Sequence, residues 1–469
     1  MQLAGEWWNI EEKPNKIKHS HGNDHQIVLD SRRESGGFWA RSWGVDSILS
    51  ETGLLSSQIA TYQVGSQKER KITVTIQAIS DIRSLLEIQS VLDRFVQQQS
   101  DNPFLLVSFL QQYMERARSL GWIPLILLIS VDETLAGVVP LMTRKKFGIR
   151  QARSLPDPLI FFSDLVCVDA YRELVISKML DFLFKKLRCQ LVSFVLPAEH
   201  LDARLIRHEC QIRRISLRLS QAKAPFGRSV LSIRGTWDEY AKSRGKKRNI
   251  LQDIRRTERN LGPVGQWRVV RLGRDEAHEA FDQISGIEDR SWKHSDKIKN
   301  GKQIDSNMLL VWRALRLSSR IQTGMKWYVD FLQLKSSMIA YVLVVEFNGI
   351  AFPVFTSYDQ EYARFGPSIY LLNMLIRDLF EKGQTTKIDF LSDVPFTRNW
   401  TSIDLKRVTL MMAPKNSLTQ IIAFLYPRGL ARLYESIKSH WLFVRASNAM
   451  QRSRLIQTGP IGLSDTVEL

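Results

Sequence analysis

GIAFPVFTSYDQEYARFGPSIYLLNMLIRDLFEKG, residues 349–383, runs from a hydrophobic strand through a polar loop into an amphipathic helix. A loop that enters a helix meets unpaired backbone N–H groups and the positive end of the helix dipole, where a pyrophosphate binds well. Gly366 allows a close backbone approach, Pro367 suits the first turn, and Ser368 can cap the helix. The pattern fits an anion cradle and an ordinary helix start equally. We predict a cradle made of Arg364, Phe365, Gly366, Pro367, Ser368 and Ile369.

Strands and helices alternate on both sides of this stretch. KITVTIQAI (71–79) alternates as a strand does, and two helical segments follow it. WIPLILLISV (122–131) and LAGVVPLMTRK (135–145) then form a predicted strand pair. A second succession begins with RSVLSIRG (228–235) and continues through consecutive strands from MKWYVDFLQLK (325–335) onward. This order predicts an α/β fold with mixed sheets.

The composition is that of a globular protein with an anionic partner. The chain has 469 residues, is 44% hydrophobic, and carries a net charge of +18. Such a charge favours nucleic acid, acidic lipid or a phosphorylated cofactor. The three cysteines form no CxxC pair, so neither a disulfide framework nor a structural zinc site is expected. No apolar leader or long apolar run stands out, so we expect a cytoplasmic protein without a membrane-spanning helix.

Four regions are predicted along the chain. Residues 1–70 read as a loosely ordered extension, 71–226 as a first domain, 227–415 as a second domain, and 416–469 as a basic amphipathic extension. Histidines cluster at HSHGNDH in the first region without a carboxylate or thiol framework, so we predict no metal site there. The last region either packs on the second domain or lies on the inner face of an anionic membrane.

The two predicted domains share a local pattern. ILLISVDETLAGVVPL (126–141) and YVLVVEFNGIAFPVF (341–355) each place an apolar strand, an acidic turn and a second apolar strand in succession. Any hairpin has this form, but its recurrence suggests a duplicated domain.

A basic segment, SRGKKRNILQDIRRTERNL (243–261), has three possible roles. It resembles a nucleic-acid-binding helix, a solvated helix face, or the wall of an anionic substrate site. Ile250, Ile254 and Leu261 share one helical face, which we expect to pack on the second sheet. Arg248 and Arg255 then lie on another face, and we predict that they bind substrate.

Five further segments of the second domain follow a family pattern in order. TWDEYAKSRGKKRNILQDIRRTERNL (236–261) gives a WxxY helix with a basic run, and EDRSWKHS (288–295) gives a Trp-Lys pair after an acidic helix. VLVVEFNGIAFPVFTSYD (342–359) gives a strand pair, FGPS (365–368) a helix-start loop, and GQTTKIDFLSDVPFTRNW (383–400) an Asp-Phe-Leu segment before a basic residue and Trp. The chain resembles the CelD-like family of GNAT-type acyltransferases, which is related to the FemAB aminoacyl transferases.

The resemblance implies tandem GNAT-like acyltransferase domains, with acetyl-CoA or another acyl-CoA bound by the second. Direct attack of an acceptor on a thioester needs a proton acceptor and a donor to the carbonyl oxygen. We predict catalytic roles for Tyr358, Asp359 and Asp389, although the Asp389 carboxylate, in an apolar segment, serves either chemistry or structure. The resemblance also predicts four substrate-binding residues, Trp292, Lys293, Arg398 and Trp400. The two tryptophans can instead be core aromatics, which is the more common position of this residue.

The family's association with envelope and exopolysaccharide genes implies a glycan or small-molecule acceptor with an amine or hydroxyl. Two alternatives stay open: a FemAB-like transfer from aminoacyl-tRNA, and a non-catalytic protein that binds nucleic acid or another anion. No GxSxG elbow or phosphate-binding P-loop motif appears, so serine hydrolase and P-loop nucleotidase chemistry are not predicted. His200, His208, His278 and His440 share no metal-ligand spacing.

Overall fold

The computed structural model describes residues 57–64, 72–146, 148–155, 165–198, 200–221, 227–244, 249–291, 306–318, 324–401 and 403–415. The predicted C-terminal extension and the histidine cluster near the N-terminus lie outside these residues. So do three of the predicted substrate-binding residues, Arg248, Trp292 and Lys293.

The first half of the described chain builds one sheet and its helices. Its strands and helices, in chain order, are β1 (Ser57–Val64), β2 (Ile72–Ile79), α1 (Ile82–Glu87), α2 (Gln89–Gln99), α3 (Val107–Ser119), β3 (Ile123–Val131), β4 (Thr134–Lys146), β5 (Ile149–Ser154), β6 (Val166–Cys167), α4 (Arg172–Asp181), β7 (Leu191–Pro197), α5 (Leu201–Ile212) and β8 (Ile215–Gln221). A π-helical turn at Phe182–Lys186 prolongs α4, and a 3-10 turn at Pro103–Leu105 precedes α3.

The second half also builds one sheet and its helices. Its strands and helices are β9 (Arg228–Ser232), α6 (Trp237–Ser243), α7 (Ile250–Leu261), β10 (Trp267–Leu272), α8 (Ala277–Arg290), α9 (Ser306–Ser318), β11 (Lys326–Leu334), β12 (Ser337–Phe347), β13 (Ile350–Tyr358), α10 (Pro367–Lys382), β14 (Lys387–Asp389), β15 (Asp404–Leu405) and β16 (Arg407–Pro414).

The two sheets have one topology. Among the described residues, the first sheet runs β1-β2-β3-β4-β5-β7-β16-β8, with β6 paired to β4, and the second runs β10-β11-β12-β13-β14-β9-β15. Each contains one parallel pair, β5 with β7 and β13 with β14, and the other neighbours are antiparallel. Aligned on that pair, the seven strands of the second sheet match β2, β3, β4, β5, β7, β16 and β8 of the first, and β1 and β6 have no counterpart. This agreement confirms the predicted tandem α/β fold.

One strand, β16, crosses between the halves. β9, at the start of the second half, lies beside β14, and β16, which follows the last strand of the second sheet, inserts between β7 and β8 of the first sheet. The segment DLKRVTLMM (404–412) lies within the predicted second domain, 227–415. The structure divides it between the two sheets at Lys406: β15 pairs with β9 in the second sheet, and β16 pairs with β8 in the first.

The predicted N-terminal extension contains a strand. Ser57–Val64 pairs with β2 along its full length, so the expectation of loose order over residues 1–70 fails for this part. The short polar-apolar alternation SQIATYQV gives too weak a signal by itself, and the strand is stabilised by its pairing with the edge of a sheet.

The repeated hairpins are alike in form but not in position. Asp132 and Glu133 in the first turn, and Asn348 and Gly349 in the second, all have positive φ, as a two-residue hairpin requires. The first turn joins β3 to β4, whereas the second joins β12 to β13, which is one strand further along the sheet. The duplication is therefore visible in strand order and not in the hairpins that suggested it.

One apolar core joins the two halves. The buried side chains on one face of the second sheet form a continuous cluster with α2, α3 and the Pro103–Leu105 turn of the first half. The Asn348 side chain also donates to the backbone carbonyls of Gln97 and Ser100, at 2.8 and 3.0 Å. The opposite face of the second sheet is covered by α6, α7 and α10. None of the helices in the described part of the chain has the length and apolarity that crossing a membrane requires.

We expect β16, the strand that crosses into the first sheet, to make the two halves one cooperative unit. Leu410 of β16 is fully buried in the core of the first sheet, so Leu410→Ala should lower the free energy of unfolding by about 2–5 kcal/mol. We expect a single thermal transition at a reduced midpoint, followed by circular dichroism and tryptophan fluorescence. Lys406→Ala, at an exposed neighbour, should change stability by less than about 0.5 kcal/mol. Separate melting of the first half would contradict this coupling.

Candidate active site

The second sheet opens between its two parallel strands. β13 and β14 pair only at Ile350 with Lys387 and at Ala351 with Ile388, whereas β13 remains paired with β12 as far as Tyr358. Beyond Asp389 the chain stays with β9, since the Phe390 N–H donates to the Ser229 carbonyl at 3.0 Å. The two strands therefore diverge, and a wedge-shaped opening forms in the middle of the sheet.

The side-chain burial along β13 agrees with this opening. Ile350, Ala351 and Phe352 are buried, whereas the next residues, 353–356, are only half-buried although the strand is central in its sheet. The register against β12 also shifts between Leu343 and Val344, which leaves Val354 as an extra residue in β13. Such bulges interrupt the hydrogen-bond ladder and are frequent beside active sites. Pro353, a residue tolerated in sheets mainly at interruptions, is the sequence signal for it.

The predicted cradle lies at the start of α10, which follows β13 through a 3-10 turn. Gly366 adopts φ +62° and precedes Pro367, the first residue of the helix. A Cβ atom on Gly366 would meet no other atom within 4 Å, so the space beside this glycine is open. In the described residues no side chain caps the helix, and the Ser368 hydroxyl is buried without a hydrogen-bond partner. The Gly366 and Ile369 N–H groups already donate to the Ala363 and Gly366 carbonyls, at 3.1 Å each, so the Ser368 hydroxyl is the donor that an anion can use.

Helix α7 braces the cradle from the side. The Thr257 hydroxyl donates to the Phe365 carbonyl at 3.0 Å, and the Tyr370 hydroxyl donates to the Glu258 carboxylate at 3.3 Å. Burial, together with the Glu258 charge, raises the pKa of Tyr370, so the phenol stays protonated and remains a donor. These two contacts fix the loop before α10 and the first turn of that helix to α7. No local sequence pattern predicts them, because they link positions 108 and 112 residues apart.

The basic segment is two helices, not one. α6 ends at Ser243, and the Asn249 side chain caps α7 by accepting from the Gln252 N–H at 3.0 Å. Ile250, Ile254 and Leu261 are buried, as predicted. Arg255, like Arg259, is exposed on the other side of α7. Arg364 is also exposed, with its guanidinium carbon 4.7 Å from the centre of the Phe365 ring. Exposed positive charge thus lies on both elements that frame the cradle.

The predicted catalytic residues separate into one open side chain and two that are engaged. Tyr358, at the end of β13, is half-buried beside the cradle turn. Asp359 is buried, receives the Arg290 guanidinium at 2.5 Å and accepts from the Glu361 N–H at 3.0 Å. It therefore caps the turn that leads to the cradle, and its carboxylate is already paired.

Asp389 has a structural partner of the same kind. Its carboxylate is fully buried, accepts from the Arg228 side chain, with 2.8 Å to Nε, and accepts from the Leu391 N–H at 2.9 Å. Arg228 opens β9 and Asp389 closes β14, so the ion pair ties these antiparallel neighbours together at the point where β14 leaves β13. Of the two roles that the sequence allowed for Asp389, the contacts favour structure.

Trp400 and Arg398 follow β14 and lie in different surroundings. The Trp400 indole is 1% exposed, stacks on Phe390 and donates to the Asn373 side chain at 2.7 Å. The position is that of a core aromatic, because direct contact with a substrate needs an accessible ring. Arg398 is exposed, and its carbonyl accepts from Arg244 at 2.9 Å. The structure thus brings Tyr358 and the cradle together and leaves Trp400 behind them in the core.

A buried carboxylate near the opening was not anticipated. Glu288 of α8 is fully buried and receives the Tyr341 hydroxyl at 2.6 Å. Tyr341 lies opposite Ser357 in the β12–β13 ladder, and the Ser357 hydroxyl is buried without a partner in the described structure. The acidic run before the Trp-Lys pair was the available signal, but a single sequence does not show which of its acids turns inward.

The equivalent position in the first half has a different electrostatic character. The parallel pair there is β5 with β7, and the following helix begins at Arg172. Its guanidinium bonds the carboxylates of Asp202 and Asp169 at 2.7 and 2.8 Å. Burial and the Asp202 charge raise the pKa of the neighbouring Cys167 thiol to about 12, so it stays neutral. Two carboxylates at this helix start disfavour the binding of an anionic ligand there. The candidate site is therefore the one in the second half.

His208, which shows no metal-ligand spacing in the sequence, has two acidic neighbours in the structure. Ligand atoms of Glu173, His208 and Glu209 lie within 4.8 Å of one another in the first half. Glu209 also forms an ion pair with Arg213 on the next turn of α5, so its charge is already compensated.

Comparison with known proteins agrees with this geometry. Residues 246–395 match a family described as "Acetyltransferase (GNAT) domain". The matched segment contains the diverging strands, the cradle and α7. Comparison with curated proteins finds no match to this sequence.

Several solved structures share parts of the architecture at low identity. FemX is 11% identical, with 71% of this chain and 98% of that chain covered and a TM-score of 0.49. A conserved protein of unknown function from Bacteroides thetaiotaomicron is 10% identical, with 70% and 97% covered and a TM-score of 0.44. A tandem GNAT protein from the clavulanic acid biosynthesis pathway is 10% identical, with 76% and 99% covered and a TM-score of 0.37. At these values the likenesses do not bear on substrate.

The match over residues 246–395 identifies this segment as a GNAT acetyltransferase domain, which supports a transferase. Of the two similar halves, the second contains both the diverging strands and the glycine-led helix start.

The Asp389 pair gives a direct test of the structural assignment. Asp389→Asn leaves Arg228 without its buried counter-charge and should lower the free energy of unfolding by about 3–5 kcal/mol. Glu381→Gln, in the exposed pair with Arg377, should cost less than about 1 kcal/mol. Urea unfolding of both variants measures the difference. A fully stable Asp389→Asn protein with lost activity would instead assign this carboxylate to chemistry.

Proposed function

We propose that this protein transfers an acyl group from acyl-CoA to an amine or hydroxyl of a glycan or small-molecule acceptor. The observation that carries the proposal is the coincidence of two features. The sheet opens beyond Ala351, and the uncapped start of α10 follows from the same strand. One ligand with an extended arm and a pyrophosphate suits both places.

The residues at the helix start fit the phosphate end of coenzyme A. Gly366 leaves open space on its Cβ side, and Ser368 has a buried hydroxyl without a partner among the described residues. Arg364 adds an exposed positive charge next to them. Backbone N–H groups, a hydroxyl and a guanidinium are the donors that bind phosphate well. The order Gly-Pro-Ser is reversed from the family's usual Ser-Pro-Gly, and it places the glycine at the residue whose φ is positive.

The chain's own groups divide the work of the transfer. Acyl-CoA, when bound, would supply the acyl group as a thioester, and coenzyme A would leave as the free thiol. The interrupted ladder at Val354 leaves backbone groups as candidate donors to a developing oxyanion. Asp359 and Asp389 are engaged in ion pairs, so Tyr358 is the remaining predicted residue at this end of β13 to accept or relay a proton. Arg290, held by Asp359, fixes the turn that carries Tyr358 and the cradle.

The acceptor is proposed to meet the basic side of the site. Arg255 and Arg398 are exposed there, and Arg248, Trp292 and Lys293 belong to the same proposal although they lie outside the described residues. A polar, anionic acceptor in the cytoplasm fits this charge. Peripheral contact with the inner membrane face through residues 416–469 also remains part of the proposal.

The cradle can be tested with a matched pair of glycines. Gly366→Glu places a carboxylate at the proposed phosphate site and should abolish acyl-CoA binding. Gly383 ends the same helix, has φ +64°, and also has nothing within 4 Å of a Cβ atom. Gly383→Glu therefore introduces the same backbone strain and the same charge at the other end, and it should leave binding intact. Isothermal titration with acetyl-CoA and longer acyl-CoAs measures both.

Two results would overturn the cradle or the cofactor. Persistent binding in folded Gly366→Glu protein would refute the phosphate site. If the unaltered protein binds no acyl-CoA at all but shows RNase-sensitive transfer in extract, aminoacyl-tRNA would replace acyl-CoA as the donor.

Arg255 tests the acceptor side. Arg255→Ala should raise the acceptor KM by about tenfold, the effect of losing one charge-assisted contact, with little change in kcat or in melting temperature. Arg274→Ala, at an exposed arginine beyond β10, serves as the control for a change in net charge. A large loss of stability without a change in KM would return α7 to a structural role.

A further inference from the structure

The opening in the second sheet has an apolar side that the acyl-transfer proposal does not yet use. Val354 and Phe355 of β13 and Leu391 beyond β14 are half-buried and pack against the core cluster that both halves share. They line the two diverging strands on the same face of the sheet. Half-exposed apolar side chains at the centre of a sheet are unusual, because a closed sheet would bury them.

The first half covers the closed end of this apolar side. Phe104, in the 3-10 turn before α3, is fully buried and meets Phe352 edge to face, with ring centres 5.6 Å apart and planes at 75°. Phe352 directly follows Ala351, the last residue of β13 that pairs with β14. Phe109 packs on Phe104 in turn, with ring centres 5.3 Å apart. The first half thus ends the opening with an aromatic wall.

The wall is held in register with the opening by polar contacts. The Asn348 amide bonds the carbonyls of Gln97 and Ser100, just before the turn that carries Phe104. Lys387, the first residue of β14, lies 3.9 Å from the Asp101 carboxylate. The same short stretch of the first half therefore contacts the β12–β13 turn, β13 and β14 where the two parallel strands begin.

The opposite end of the apolar stretch is polar. Asp359 and Arg290 form their ion pair just past Tyr358. Between Phe352 and this pair, residues 353–357 have uncharged side chains, PVFTS. At about 3.3 Å per residue, the half-buried part of β13 spans about 13 Å. The slot is thus an apolar strip with an aromatic floor at one end and charged groups at the other.

We propose that the acyl group transferred by this enzyme is an apolar chain longer than acetyl, held along β13 against the aromatic wall that the first half provides. This inference rests on the proposed function and names its substrate class. An acetyl group would leave Val354, Phe355 and Leu391 in contact with water, whereas a longer chain covers them. A polar acceptor gains nothing from this strip, and its predicted contacts lie on the basic side.

The dependence on chain length is the primary measurement. Each buried methylene is worth about a fourfold gain in affinity. The Kd for non-reactive thioether analogues should therefore fall by at least about tenfold from acetyl-CoA to octanoyl-CoA, with an increasingly negative heat-capacity change in calorimetry. The kcat/KM values of the thioesters with the acceptor should follow the same order. A Kd that is independent of chain length would overturn the proposal.

Two substitutions locate the chain. Phe104→Leu shortens the wall and should shift the preferred acyl group toward dodecanoyl. Val354→Phe fills the strip and should lower the octanoyl-to-acetyl ratio of affinities by about tenfold or more, the effect of excluding two or more methylenes. Phe194→Leu, in the fully separate core of the first sheet, is the matched control, because it removes the same atoms from an equally buried site and should leave the ratio unchanged.

Each variant is judged by a ratio within one protein, so a general loss of stability does not imitate the effect. Ratios that stay constant in both Phe104→Leu and Val354→Phe would overturn the proposed position of the chain. Acetyl-CoA turnover without any gain from longer chains would refute this inference and keep the proposed acyltransferase. Absence of binding for every acyl-CoA would refute the proposed function itself.

Discussion

The brevity of the parallel pairing between β13 and β14 is the constraint on which the site depends. Two residues of each strand pair, and then β14 follows β9 instead of β13. β9 provides the alternative partner because it comes from the junction between the halves and lies on the far edge of β14. The buried Arg228–Asp389 pair secures that choice at its end. The Asp389 carboxylate, which first suggested chemistry, is thus placed where it holds β14 against β9.

The insertion of β16 also links the two halves. The first half receives this strand into its sheet, and it places the Pro103–Leu105 turn against the second sheet. At its own equivalent helix start, Arg172 is paired with Asp202 and Asp169. The second half offers an uncapped helix start, and the first half supplies packing and the apolar wall.

The sequence revealed the local features of this site more fully than its long-range ones. The strand, turn and helix around Gly366 were predictable, because chirality makes glycine the residue for φ +62° and proline a good first helical residue. The inward face of α7 followed from helical periodicity. The partners of Asp389 and Trp400, the insertion of β16 into the first sheet, and the contact from Thr257 to Phe365 were not predictable. They join segments far apart in sequence, and no local pattern states which distant strand or carbonyl a residue will meet.

Hydrogen exchange with and without coenzyme A tests the central claim most directly. Amide exchange reports local protection, and a bound ligand slows it where backbone N–H groups become donors or are covered. The account predicts slower exchange in peptides that cover residues 353–358 and 366–370, with no change at the start of α4 around residues 168–175. Protection at α4, or none at the two segments of the second half, would contradict it.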